Sequence, residues 1–346
     1  MLMPQEKWRR LGASSNPPNS PLRNIHRKMR CPPNLGGHLR LRSKPMKPIQ
    51  KAIIPIAGYG TRLFPATKAV PKALFPIIAQ DGIAKPVIQL IIEEALSAGV
   101  EEVCIVAQPQ QVDPITDYFS GTVADAILEK AELAAQADRL TEIGQRLHFA
   151  IQEKPEGFGH AIYCAKDFAA GDPVMILLGD HLYISESETS CAKQLVDVYS
   201  QVGQSVTSLD LCHESELSLN GIVHGSPCAE SPRLYILQQI SEKPTVEFAQ
   251  EHLRVEGVPA QRYLCNFGID LLTPLLFEIL DYNYKHRIVT HGEIQLRDAM
   301  SEMIKQEGMS GYRVAGQRYD TGNPQELLRT VNAFGLQGPY RDALLR

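Results

Sequence analysis

The chain has 346 residues, 44% hydrophobic and 21% charged, with a net charge of −4 at pH 7, which is ample for one large α/β domain or two smaller ones with their own cores. Seven cysteines without a C-x-x-C pair argue against a disulfide framework or a cysteine zinc site and for a reducing compartment. No apolar run reaches the length of a membrane span, about 18 residues, so neither a disulfide-stapled secreted module nor a membrane protein is expected.

Charge is uneven along the chain. Residues 1–49 hold eleven Lys or Arg and one acidic residue, a net of +10, against −14 for the remainder. Such an arm could meet nucleic acid, an anionic membrane surface or an import receptor. Its prolines, low apolar content and lack of period read as disorder, and a start at Met46, just ahead of the first strand, is a further reading. The single tryptophan, Trp8, lies in this arm. The folded catalytic unit is expected over residues 50–337.

The stretch Lys51 to Pro76, KAIIPIAGYGTRLFPATKAVPKALFP, opens with an apolar run from Ala52 to Ala57 that reads as a strand buried on both faces. Gly58 and Gly60 then remove the Cβ atoms that would keep backbone away from a phosphate chain, while Thr61, Arg62, Lys68 and Lys72 bring donors and positive charge. It is neither a P-loop, which ends in Gly-Lys-Ser/Thr, nor a dinucleotide fingerprint, which needs a third glycine and a helix. Pro65, Pro71 and Pro76 forbid a regular helix here, so irregular backbone is expected. G-x-G-T-R-L-x-P-x-T followed by P-K-x-L-x-P resembles the signature of the sugar-1-phosphate nucleotidyltransferases, and PATKAVPK looks most like its bacterial uridylyltransferase branch. The resemblance covers roughly Ala52 to Gly335.

Beyond the loop, AQDGIAK reads as a surface turn. PVIQLIIEEALSAG places Val87, Leu90, Ile91 and Ala95 at helical spacing and stops at Gly99. EEVCIVA gives a second buried strand, with Cys104 as a core residue. Helix is expected from Asp113 to Phe119 and from Ala124 to Leu147, where Ile127, Ala131 and Ala134, then Leu140, Ile143 and Leu147, repeat. Strands alternating with helices predict an α/β fold, Rossmann-like and doubly wound, with a mainly parallel mixed sheet.

Strand LHFAIQ runs into QEKPEGFGHAI. The family carries a Gln with a Gly five residues on, and Gln152 and Gly157 keep that spacing; the amide's donor and acceptor suit the O4 and N3–H edge of uracil. An exposed loop glutamine is the plain alternative, and His160 reads as a packing or capping residue. Strand PVMILLG delivers Asp180 to its carboxyl end, where a carboxylate can hold a hard cation against phosphate. By resemblance this is the family's metal aspartate. The family often follows it with a second acid; here His181 follows.

After a helix around Ser190 to Gln201 and strand SVTSLDL, Gly221 in NGIVHG matches the glycine that lets backbone close over the sugar. YILQQISEKP then presents Glu242, which can accept from vicinal hydroxyls, and Lys243, a point charge for the sugar phosphate. RYLCNFGIDLLTP reads as a strand followed by a helix capped by Thr273 with Pro274 first. GEIQLRDAMSEMIKQEG resembles the family's E-I-Q-L-T-D-A helix with Arg297 replacing threonine, and reads as structural or as a subunit contact. SGYRVAGQRYDTGN reads as one strand bringing in Asp320, a second metal ligand or equally a turn residue.

The resemblance implies uridylyl transfer from UTP to glucose 1-phosphate with Mg2+ as cofactor. Arg62, Lys72, Asp180 and Lys243 would be catalytic; Ala57, Gly58, Gly60, Thr61, Gln152 and Gly157 would bind nucleotide; Gly221, Glu242 and Lys243 would hold the sugar phosphate; Asp180 and Asp320 would hold metal. A cytoplasmic homo-oligomer is expected, with neither nucleic acid nor membrane as partner. Transfer of a thymidylyl or other nucleotidyl group stays open, as does a nucleotide-sugar sensor without turnover, which would be free to lose Arg62, Lys72 or Asp180.

Overall fold

The computed structural model describes residues 46–229 and 231–346; most of the basic arm, with Trp8, lies outside the described residues. Thirteen strands are present among them: β1 (Lys51–Pro55), β2 (Pro76–Ile78), β3 (Ala84–Pro86), β4 (Glu102–Ala107), β5 (Leu147–Ile151), β6 (Val174–Leu177), β7 (His181–Ser185), β8 (Val206–His213), β9 (Gly221–Cys228), β10 (Ser231–Glu242), β11 (Arg262–Leu272), β12 (Ser310–Arg313) and β13 (Gly316–Asp320). Nine form one sheet in the order β5-β4-β1-β6-β11-β8-β12-β10-β9, while β2 pairs with β3 and β7 with β13. The pairs β5-β4, β4-β1 and β1-β6 are parallel, and β11 runs antiparallel to both β6 and β8. The carboxyl ends of β1, β4, β5 and β6 therefore share one edge, where an open α/β sheet places its ligands.

The strand alternation explains why apolar residues run without a break through β1. Ala52, Ile54 and Ile56 enter one hydrophobic cluster and Ile53 the other, as do Val103 and Ile105 against Cys104 and Val106 in β4. Successive side chains point to opposite faces, and each face is covered by helices. The helix Val87–Ser97 buries Val87, Ile88, Ile91, Ile92 and Ala95. It ends ahead of Gly99, whose φ of 94° suits glycine. No helix among the described residues is long and apolar enough to cross a membrane.

Several local expectations are corrected. AQDGIAK is the turn of the β2-β3 hairpin and the start of its second strand. The expected helix 113–119 is longer, Pro109–Ser120, because Pro109 occupies its first turn and Gln111 Oε1 accepts from the Gln108 backbone N–H at 2.8 Å. The continuous helix expected to Leu147 is two, Asp125–Leu128 and Ala131–Gly144. Ile127 is exposed and Ile143 alone in the longer helix is fully buried, since the longer helix leans mainly on helix Pro109–Ser120 rather than on the sheet. Thr273 does not cap the helix Leu275–Lys285: its hydroxyl donates to Glu307 Oε1 at 2.6 Å. The segment read as one strand ending at Asp320 is two, β12 and β13, in different sheets. At the crossover the Gln194 amide takes both backbone groups of Ala315, at 2.9 and 3.1 Å, and the Ala315 carbonyl also accepts from the Glu186 backbone N–H at 2.9 Å.

Candidate active site

The chain leaves β1 into the glycine loop. Gly60 has φ 63°, and a Cβ there would sit 2.9 Å from Thr67 Cγ2, so the turn needs glycine. The Thr67 hydroxyl closes it by donating to the Gly60 carbonyl at 3.1 Å. The prolines do prevent a long helix, but the backbone is less irregular than expected: it makes single helical turns at Thr61–Leu63, Ala66–Ala69 and Lys72–Leu74. Ala57 is buried, while Gly58, Thr61 and Arg62 are exposed. Lys72 is turned back to the sheet edge, where its Nζ bonds Asp180 Oδ2 at 2.7 Å.

Asp180 follows β6 and Asp320 ends β13, two distant segments joined by the β7-β13 ladder, in which Asp320 pairs with His181. The Thr321 backbone N–H and hydroxyl both donate to the Asp180 carbonyl, at 2.8 and 2.9 Å, locking the two loops together. One ligand atom each from Asp180, His181 and Asp320 lie within 4.8 Å of one another. Gly322 makes room for this crowd: a Cβ there would meet Arg62 Nη2 at 2.8 Å, Asp320 Oδ1 at 2.9 Å and Asp180 Oδ2 at 3.0 Å. Asp320 also has the turn role foreseen for it, since its Oδ1 accepts from the Gly322 N–H at 2.6 Å, whereas the following helix is capped by Asn323. Burial would raise the Asp180 carboxyl, but the charges of Lys72, His181 and Arg62 and the Lys72 hydrogen bond hold it below the usual range. Burial pushes His181 down to about 4 against the pull of Asp180.

Across a cavity of ≈ 620 Å³ stands the wall formed by β9, β10 and β11. Gly221 and Glu242 face each other in the β9-β10 ladder. A Cβ on Gly221 would lie 2.6 Å from Asn266 Oδ1 and 3.2 Å from Glu242 Oε2, so glycine keeps this face open. Asn266 Oδ1 is buried and has no hydrogen-bond partner among the described residues. Lys243 has φ 47°, a conformation that a long side chain rarely adopts without cause, and its ammonium remains largely exposed, 3.6 Å from Glu242 Oε1.

Two arginines on this wall escaped the sequence reading as site residues. Arg318 Nη1 donates to the Asn266 carbonyl at 2.9 Å and Nη2 to Asn220 Oδ1 at 3.1 Å; its place two residues before Asp320 on one strand, and so on the same face, was the available signal. Arg297, read as structural or as a subunit contact, lines the cavity. It is buried, with Nη1 bonded to Asp270 Oδ2 at 3.0 Å and Nε 4.0 Å from Glu242 Oε2. The rest of its helix, Leu296–Gln306, buries Leu296, Ala299, Met300 and Met303 in the core.

At the far end of the same edge, Gln152 is buried and its Nε2 reaches both the Gly157 carbonyl, 3.2 Å, and His160 Nδ1, 3.1 Å. The donor half of the amide is thus used within the loop, leaving Oε1. Gly157 has φ 113°, and a Cβ there would sit 2.6 Å from the Ile294 carbonyl oxygen. His160 packs as expected, stacked on Tyr284 at 5.4 Å. Gln108, just past β4, is buried with its Nε2 lacking a partner among the described residues.

Residues 51–335 match the family model described as nucleotidyl transferase. A UTP–glucose-1-phosphate uridylyltransferase of Staphylococcus epidermidis is 37% identical over 298 residues, covering 85% of this chain and 95% of that protein. That of Bacillus subtilis is 34% identical over 305 residues, covering 87% and 96%. Among solved structures, a UDP-glucose pyrophosphorylase complexed with UDP-glucose superposes with TM-score 0.67 at 30% identity, covering 83% of this chain and 98% of that one. A UTP-bound enzyme of the same kind from Acinetobacter baumannii gives 0.68 at 26% identity, covering 86% and 99%. With the family model matched over residues 51–335 and curated relatives 34–37% identical over most of both chains, the chain belongs to the nucleotidyl transferase family, among the UTP–glucose-1-phosphate uridylyltransferases.

Proposed function

We propose that the protein transfers the uridylyl group of UTP to glucose 1-phosphate, releasing pyrophosphate. The observation that carries this reading is the meeting of unlike groups around one cavity: the cation Arg62, the carboxylates Asp180 and Asp320, with Lys72 bonded to Asp180 beside it, and the Glu242–Lys243 turn. A phosphate oxygen of the sugar phosphate attacks the α-phosphorus; that bond forms as the α-phosphorus bond to the bridging oxygen of pyrophosphate breaks. No covalent intermediate on the protein is required, so positioning and charge neutralisation supply the rate.

Arg62, and Lys72 once released from Asp180, would neutralise the triphosphate over the backbone of Ala57, Gly58, Gly60 and Thr61. Lys243 would hold the sugar phosphate, with Glu242 accepting from the hydroxyls; Asn266 Oδ1, partnerless at the bare face of Gly221, is a further acceptor for them. On the base, Gln152 Oε1 would accept from N3–H with Gly157 closing the loop, and Gln108 Nε2, which lacks a partner among the described residues, would be the donor at that edge for O4. Asp180 and Asp320 would hold the divalent cation, Mg2+ in the first instance, which supplies neutralisation of the phosphate oxygens. The catalytic unit would be residues 50–337, with the last residues of the arm packed on it, Ile49 in the core and Lys47 paired with Asp172 at 2.9 Å, and turnover should not need the residues before Met46.

Pyrophosphate release measured over a grid of nucleoside triphosphates and sugar phosphates tests the proposal: UTP with glucose 1-phosphate should give the highest kcat/KM. A different best pair would reassign the substrates, and tight UDP-glucose binding without turnover would favour the sensor.

A further inference from the structure

We propose that Arg318 is the fixed phosphate anchor of the site, its guanidinium holding the phosphate of the sugar phosphate where the metal wall meets the sugar wall. The inference rests on the reading of this cavity as a uridylyl-transfer site and adds a substrate-holding residue to it.

Its position comes first. Arg318 lines the cavity with Asp180 and Asp320 on one side and Gly221, Glu242 and Lys243 on the other. It precedes Asp320 by two residues on β13, so both side chains leave the same face of the strand, roughly 6.4–6.8 Å apart along it. One phosphate can span that interval, touching a cation held by Asp320 with one oxygen and the guanidinium with another. The phosphate of glucose 1-phosphate belongs at this junction, because it joins a sugar at Gly221 and Glu242 to an α-phosphorus beside the carboxylates.

Charge comes second. Attack by a sugar phosphate on a triphosphate brings like charges together, and a preorganised cation between them lowers that cost. Lys72, Arg297 and Lys243 each have an acid beside them: Asp180 at 2.7 Å, Asp270 at 3.0 Å and Glu242 at 3.6 Å. Arg318 instead donates to neutral oxygens, the Asn266 carbonyl at 2.9 Å and Asn220 Oδ1 at 3.1 Å. These bonds fix the guanidinium without neutralising it, and its fork of five N–H groups has donors left for phosphate oxygens. The same bonds tie the strand of Asp320 to the sugar turn, since the Asn220 carbonyl accepts from the Lys243 N–H at 3.1 Å. A donor already held in place loses little freedom when the phosphate arrives, whereas the Lys243 side chain is 58% exposed.

The test uses the full chain with Mg2+ present. UMP, UDP and UDP-glucose are titrated by calorimetry into the native protein, Arg318→Gln and Arg318→Lys, with circular dichroism as the check on folding. UMP lacks the second phosphate, UDP has it without the sugar, and UDP-glucose has both. Arg318→Gln should weaken UDP and UDP-glucose alike, by about 10- to 100-fold for the loss of charge-assisted bonds to one phosphate, and should move UMP less than about threefold. Arg318→Lys keeps the charge but not the fork, and should bind UDP more tightly than Arg318→Gln does. UDP binding unmoved by Arg318→Gln while UDP-glucose weakens would leave Arg318 as a brace of the sugar wall and overturn the anchor. Equal losses for UMP and UDP, or Arg318→Lys no better than Arg318→Gln, would overturn it too. A native protein that binds none of the three nucleotides removes the uridylyl-transfer reading, and this inference with it.

Discussion

Replacing Arg297 with methionine separates its two roles, as the partner of a buried acid and as part of the sugar wall. Its guanidinium bonds Asp270 at 3.0 Å, with the two side chains 8% and 3% exposed. Without it, Asp270 keeps, among the described residues, only the Thr207 hydroxyl and stays buried without a cation beside it. Breaking a buried pair by removing one member costs about 3–5 kcal/mol. At roughly 2–4 °C per kcal/mol for a protein of this size class, the melting temperature should fall by about 6–20 °C. Arg297→Met combined with Asp270→Asn removes the orphaned charge while keeping an acceptor for Thr207, and should recover at least about 2 kcal/mol of that loss, since replacing both members of a buried pair is often near neutral. Denaturant unfolding of the two singles and the double gives the coupling directly. The double should still show a raised KM for the sugar phosphate, because Glu242 loses the cation 4.0 Å from its Oε2. A loss below about 1 kcal/mol for Arg297→Met, or a double no more stable than that single, would refute the assignment of the pair as buried and coupled.

Asp180→Asn should leave the fold intact and lower kcat by at least about 10²- to 10³-fold, read by steady-state kinetics beside circular dichroism; near-normal turnover would remove Asp180 from the chemistry. Lys243→Ala should raise KM for the sugar phosphate, and Arg62→Ala and Lys72→Ala that for UTP; equal effects on both substrates from all three would sink the division into two walls. Glu94 accepts from the Ala192 N–H at 2.7 Å, and burial outweighs that bond and pushes its carboxyl up to about 7, from 4.5 in an unfolded chain. Between those values the unfolded chain releases the proton and the native one keeps it, so this site weakens the native state as pH rises and adds nothing below pH 4.5. The thermal stability of Glu94→Gln should therefore gain on that of the wild type from pH 5 to pH 7.5, and parallel curves would contradict this. Discrimination of UTP from dTTP should be only about 10- to 200-fold where a methyl is what the pocket must exclude, measured as a ratio of kcat/KM values.

Short-range chemistry made much of this molecule legible. The first strand, which the apolar run to Ala57 places although it ends at Pro55, the glycine loop with its cations, and the charged residues at the ends of apolar runs all follow from patterns that span a few residues. Contacts across long separations were not legible in that way. That Lys72 bonds a carboxylate 108 positions away, or that Asp320 pairs with His181 through a separate two-stranded sheet, depends on where the chain changes layers. Gln194 arranges one such change at Ala315, and a lone glutamine on a helix announces nothing of the kind. Arg297 was visible as a departure from the family pattern, yet its meaning required Asp270 to be seen beside it. The helix assigned to 124–147 failed for a simpler reason. Apolar spacing marks a possible buried face, but a helix that leans mainly on another helix and not on the sheet has little to bury it against.

The most direct test of the account follows the atoms. UTP labelled at the α-phosphate is incubated with glucose 1-phosphate, Mg2+ and the protein, and the label is traced while pyrophosphate is counted. The account predicts label in UDP-glucose, one pyrophosphate for each molecule formed, and no pyrophosphate when the sugar phosphate is omitted. Pyrophosphate released without the sugar phosphate, or UTP bound and returned unchanged when both substrates are present, would contradict it.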